Sequence, residues 1–210
     1  MLARIFVLRI FLPRIFLLWA ICFAGVTAAA DRYEERATHD PDGIGRFYMG
    51  REIARVMGPG GIPWLERDTR EFEEKPTIVI EALRLRPGDT VADLGAGSGY
   101  YTFRLSPVVG DTGKVLAIDI EEKMLSVIRE RAARQGMRNV ETIRSTAADA
   151  KLAANSVDLL LMVDVYHELA WPYEMMRSVV AALATFRHRL IAPNIAMITM
   201  SAILMRTARP

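Results

Sequence analysis

Residues 91–101 read VADLGAGSGYY. A short apolar run ends directly on three glycines at alternate positions, which reads as a buried strand passing into a helix. The loop between them is a place where backbone must come very close to a ligand and glycine alone gives room. Outward from this stretch, strands and helices alternate. Before it, RPGD (86–89) is a turn; after it, residues 98–108 read as a helix and GDTGK (110–114) as a turn. VLAIDI (115–120) is a second strand, and EEKMLSVIRERAARQ (121–135) a helix that stops at Gly136. VETIRST (140–146) and VDLLLMVDV (157–165) are the third and fourth strands, and WPYEMMRSVVAAL (171–183) the next helix. This alternation predicts an α/β fold: a doubly wound, mostly parallel sheet with helices on both faces.

The loop has an acidic partner. Asp119 lies 24 residues beyond Gly95, at the end of the second strand, where a carboxylate can accept both hydroxyls of a ribose. That pair suits a nicotinamide dinucleotide or S-adenosylmethionine. The dinucleotide fingerprint wants a third glycine where this chain has Tyr100. Asp93 at the base of the loop and Asp164 at the end of the fourth strand face the same crevice. Each would repel a diphosphate by about 1 to 4 kcal/mol at about 4 Å in a wet or semi-wet site. A sulfonium and an ammonium would be attracted instead.

DLGAGSG, then IDIEEKML, the short STAAD and VDLLLMVDVYHEL together resemble a class I S-adenosylmethionine-dependent methyltransferase, over roughly residues 76–183. The resemblance implies a Rossmann-like sheet. It implies that Gly95, Gly97 and Gly99 wrap the methionine part of the cofactor, Asp119 holds the ribose, Asp149 accepts from the adenine amino group, and Asp164 lies near the methionine amine. Asp93, Ala96, Tyr100, Ile120 and Ala148 complete the expected contacts. The implied partner is a small-molecule methyl acceptor. Methyl transfer needs mostly positioning, so a base is required only where the acceptor must lose a proton. His167, with Glu168 beside it just past the fourth strand, is the candidate, against a purely structural role at a helix start. Asp158 reads as a turn residue, Tyr100 and Tyr101 also read as packing residues, and the acidic residues 66–74 as a solvated face.

The flanks differ from this core. Residues 1–30 carry Arg4, Arg9 and Arg14 with no acid, then an apolar run of 12 residues from 15 to 26, then small residues with Ala28 and Ala30 around a cleavage point. This is the order of a secretory leader, and predicts a secreted or periplasmic protein. An uncleaved anchor helix over residues 5–26 is the alternative, and the one membrane contact foreseen. Cys22 is the sole cysteine and lies in that leader, so disulfides and cysteine-held zinc are excluded downstream, and no metal is expected. Residues 31–75 are expected to be a linker, DRYEERATHDPDG, followed by a helical cap. Its helices would be residues 44–57, with Met49, Ile53, Val56 and Met57 on one face, then WLERDTREFEE, then a third starting at Pro76.

Residues 31–174 hold 19 basic and 25 acidic side chains, whereas residues 175–210 hold five arginines and no acid. An acidic body with a basic tail is not a nucleic-acid footprint. Residues 184–210 contain no glycine and are too few for the three further strands the family has, so the C-terminal strands are expected to be incomplete. Three functional readings follow: a methyltransferase, a cofactor-binding remnant without turnover, and an NAD(P)-dependent oxidoreductase.

Overall fold

The computed structural model of the chain describes residues 32–183; the expected leader and the atypical tail lie outside the described residues. The described residues divide into two compact units, with the boundary between Ile53 and Ala54.

The first unit holds a three-stranded sheet of β1 (Tyr33–Glu35), β2 (Gly43–Tyr48) and β3 (Arg51–Ala54), in that order. The helix expected over residues 44–57 is therefore corrected to a hairpin, and the expected linker contains β1. Met49 and Gly50 form its two-residue turn, both at positive φ, the geometry that matches the twist of paired strands. Strand β1 pairs antiparallel with β2, with Tyr33 opposite Tyr48 and their rings 5.4 Å apart. Glu52 accepts from the backbone N–H of Asp40 and of Gly45, each at 3.0 Å, which fixes the loop between β1 and β2.

The second unit opens with α1 (Ile62–Leu65) and α2 (Arg70–Glu74), where a single helix over residues 64–74 was expected. The break is stabilised by side chains that take carbonyls at the end of α1: Arg67 Nη1 donates to Trp64 O at 2.8 Å and Arg70 Nη1 to Leu65 O at 2.7 Å. Helix α3 (Pro76–Ala82) begins on its proline, as the sequence predicts.

Then β4 (Thr90–Leu94), β5 (Lys114–Asp119), β6 (Val140–Arg144) and β7 (Leu159–Met162) form a parallel sheet in the order β6-β5-β4-β7. Helices α4 (Thr102–Val109), α5 (Glu122–Gln135) and α6 (Pro172–Ala182) cover it. Strands β4, β5 and β7 are mostly apolar on both faces because both faces are buried, whereas β6 (VETIR), at the sheet edge, is partly exposed. Val91, Val115, Leu159 and Leu161 pack with Leu105 and Val109 of α4, while Ala92, Leu94, Leu116, Ile118, Leu160 and Met162 pack with Met175, Val179 and Ala182 of α6. Buried Met124, Leu125, Ile128 and Ala132 give α5 one apolar stripe, and Gly136 ends it in the left-handed conformation. Asp158 has the bland role read from sequence: it accepts from Thr90 N–H at 2.8 Å at the start of β4.

The chain runs outward from β4 through β5 to β6, then returns to place β7 on the other side of β4. This is the reversal point at which open α/β sheets bind their ligands, outside the carboxyl ends of the strands.

Candidate cofactor and active site

A cavity of about 350 Å³ opens at that reversal point. Its floor is the loop after β4. Gly95 and Ala96 donate backbone N–H groups to Ile118 O at 2.8 and 3.0 Å, pinning the loop to β5. Gly95 has φ +73°, and a Cβ there would lie 2.2 Å from Val165 Cγ2, so only glycine lets the loop pass beneath the turn that follows β7. Gly97 N–H donates to Asp119 Oδ2 at 2.8 Å, and the other oxygen of Asp119 accepts from Glu121 N–H at 2.9 Å. The acid at the end of β5 is thereby aimed at the glycine loop.

Of the residues expected from sequence, Asp93, Gly95, Ala96, Gly97, Tyr100, Asp119, Ile120, Asp164 and His167 all line this cavity. Three do not. Gly99 lies away from it, against the helices: a Cβ there would meet Phe103 at 2.6 Å and Ile128 at 3.0 Å, so this glycine serves close helix packing. Asp149 and Ala148 are also outside the lining. Asp149 is engaged locally, accepting from Lys151 N–H at 2.8 Å in an Asx turn and from Lys151 Nζ at 2.8 Å, and that contact holds its carboxyl below the usual range. Ser145, Thr146 and Ala147 form the wall on that side.

The charges converge. Asp93 is buried and accepts from the Thr102 hydroxyl at 2.6 Å; burial pushes its carboxyl up to about 6, with the neighbouring Asp119 adding in the same direction. Burial also raises Asp119, against the lowering effect of the Glu121 and Gly97 N–H groups. Glu168 is raised by burial first, and then by the charges of Asp119 and Asp164. Four carboxyls thus share one cavity, which suits a cationic ligand and opposes a diphosphate.

The remaining wall comes from residues 56–70. Val56, Met57, Trp64 and Leu65 supply apolar surface, and Met57 N–H donates to Glu168 Oε2 at 3.2 Å. Ser98 on the glycine loop donates to Glu66 Oε1 at 2.6 Å, and Arg131 of α5 reaches the same oxygen at 3.0 Å. Arg70 and Glu74 are buried against each other, so residues 66–74 are a solvated face only in part: Asp68, Glu71 and Glu73 are exposed as expected. Arg70 lines the cavity as well, a charged residue that the sequence reading left on the solvated face. His167 stands in a single 3₁₀ turn, Tyr166–Glu168; its side chain is 41% exposed against 17% for Glu168, and Nε2 lies 3.7 Å from Glu168 Oε1.

A doubly wound sheet carrying a glycine loop, a facing strand-end acid and a cation-favouring cavity defines a nucleoside-cofactor protein of the α/β class. The sequence profile of a family described as "Methyltransferase domain" matches residues 91–185. A solved S-adenosylmethionine-dependent methyltransferase from Aquifex aeolicus is 31% identical, with a TM-score of 0.59, over 65% of this chain and 78% of that one. Ubiquinone/menaquinone biosynthesis C-methyltransferases are also similar: that of Coxiella burnetii is 34% identical over 118 residues, and that of Legionella pneumophila 39% over 84. The chain belongs to the class I S-adenosylmethionine-dependent methyltransferases, whose cofactor is S-adenosylmethionine. It spans 44% of the length of the Coxiella relative and 34% of the Legionella one.

Proposed function

We propose that this chain binds S-adenosylmethionine in the cavity above β4 and directs its methyl group to a small, predominantly apolar acceptor. The observation that carries this reading is the meeting of Asp93, Asp119, Asp164 and Glu168 around a glycine loop, a set of acids that favours a ligand with a sulfonium and an ammonium. Asp119 is placed for the ribose hydroxyls, Ile120 and Ala147 for the adenine, and Asp93 and Asp164 for the positive end. The bound cofactor supplies an activated methyl group on sulfur. The protein's own work is positional: Val56, Met57, Trp64, Leu169 and Met175 exclude water and orient the acceptor. His167 takes the proton from an acceptor that must shed one, and Glu168 beside it stabilises the resulting imidazolium. The names of the Coxiella and Legionella relatives make a quinone-type ring the first acceptor to test. The basic and apolar order of residues 1–30 supports a place outside the cytoplasm.

Calorimetry on the full chain with S-adenosylmethionine and with NAD tests the cofactor. Binding of the first alone is expected, and binding of NAD alone would overturn the reading. A radiolabelled-methyl screen over quinones, phenols and amines then tests transfer. Binding without turnover on any acceptor would turn the assignment towards a cofactor-binding remnant.

A further inference from the structure

Arg70 is only 5% exposed in its side chain, yet nothing in the sheet needs a buried guanidinium at this place. It opens α2 and lines the cavity, where it is the only arginine or lysine among the described lining residues. Its Nε donates to Glu74 Oε2 at 2.7 Å and its Nη1 to Leu65 O at 2.7 Å. Its carbon centre sits 4.1 Å from the centroid of the Tyr100 ring, with Tyr101 at 5.5 Å. The group is thus held rigidly from two sides, and its Nη2 donates to no protein atom among the described residues. Glu74 does not cancel this charge alone, because Arg67 Nη2 also takes Glu74 Oε1 at 2.6 Å.

The ligand proposed above carries two positive centres and one carboxylate. Four acids can receive the positive centres, but each repels the carboxylate. We propose that Arg70 receives the α-carboxylate of the methionine part of that cofactor, so that the wall formed by residues 62–74 recognises the carboxylate while the strand-end acids receive the nucleoside and the positive centres. A buried guanidinium that lines a cavity and keeps donors left over from its protein contacts is the geometry that binds carboxylates in preference to water. The recognition is of a free amino acid carboxylate, and it rests on the cofactor reading given above.

Two ligands isolate the contact: S-adenosylmethionine and its decarboxylated analogue, which keeps the sulfonium and the amine. Calorimetry on the full chain is expected to show the first binding about 10- to 100-fold more tightly, the scale of a charge-assisted hydrogen-bond pair. Arg70→Gln should abolish that preference by weakening S-adenosylmethionine, leaving the analogue within about twofold of the unaltered protein. Should Arg70→Gln bind neither compound, Arg70→Lys decides. A retained preference with weaker binding supports the assignment; equal losses for both ligands overturn it. Equal affinities in the unaltered protein, or an unchanged preference in Arg70→Gln, also overturn it while leaving the cofactor reading intact. Failure of the unaltered protein to bind either ligand overturns the cofactor reading as well.

Discussion

The two walls of the cavity are built by different physics. One is made of the loops at the ends of β4, β5, β6 and β7, each fixed by the ladder of a parallel sheet whose strands β4, β5 and β7 are buried on both faces. The other is made of residues 56–70, which include a helix of four residues and the start of one of five. Helices so short are not stable by their own hydrogen bonds. This wall is held instead by side chains: Arg67 and Arg70 on Glu74, and Ser98 with Arg131 on Glu66. The strand-end wall is therefore the rigid one, and the helical wall can be loosened without unfolding the sheet.

The largest effect is expected from breaking the rigid wall at its tightest point. Gly95→Val places a branched side chain where even a Cβ would lie 2.2 Å from Val165. Overpacking and the positive φ together should cost about 2 to 4 kcal/mol, read as a shift in urea midpoint, with no cofactor binding detectable by calorimetry. A smaller loss follows from Asp119→Asn. The amide would set a donor against the N–H of Gly97 or Glu121 and remove the charge offered to the ribose. Affinity for S-adenosylmethionine should fall by about 1.5 to 3 kcal/mol, roughly 10- to 150-fold. Unchanged affinity would show that the acid only shapes the loop.

The rigid wall was also the legible one. Its central strands are largely apolar, its turns carry glycine, and the acid that faces the loop lies at a spacing that a strand, helix and strand impose. Gly99 shows where sequence stops short: the same residue type serves both ligand approach and helix packing, and the packing against Phe103 and Ile128 is visible only in the fold. Asp149 lies outside the cavity lining, its carboxylate taken up by a lysine two residues on. Arg70 was hidden for a different reason: a charged residue among charges reads as solvated, and its burial depends on Glu74 and the Tyr100 ring meeting it in space. The hairpin of residues 43–54 was missed because its pattern is inverted. In β2 the buried positions are Gly43 and Gly45 while Ile44 is exposed, and the space over Gly43 is taken by the Glu52 carboxylate. Apolar residues at helical spacing across the turn completed a false signal.

Acidification compares the two walls without a mutation. With Asp93 raised to about 6 from an ordinary 3.8, its neutral form is favoured in the free fold. The stability this gives is fully present below about pH 4 and is lost as pH rises through 6. A bound cation prefers the ionised carboxyl, so affinity moves the other way and falls as pH drops below 6. Asp119 and Glu168, raised as well, add to the same trend. Between pH 7 and pH 5 the affinity for S-adenosylmethionine should drop about tenfold or more. Calorimetry at pH 5.5 in buffers of different ionisation enthalpy should show proton release on binding, reduced in Asp93→Asn. Absence of proton release would remove Asp93 from the binding site.

The smallest effect should come from loosening the helical wall. Glu66→Gln keeps an acceptor for the Ser98 hydroxyl but gives up the charge that Arg131 meets at 3.0 Å. That ion pair is partly exposed, so its loss should cost less than about 1 kcal/mol in overall stability. If residues 56–70 move as a unit, the loss should appear where the ligand enters: dissociation of S-adenosylmethionine should speed up roughly two- to fivefold in stopped-flow measurements, with the urea midpoint almost unchanged. A fall in midpoint as large as that of Gly95→Val would mean that both walls belong to one cooperative unit. The difference in their construction would then govern assembly of the fold and have no bearing on access to the site.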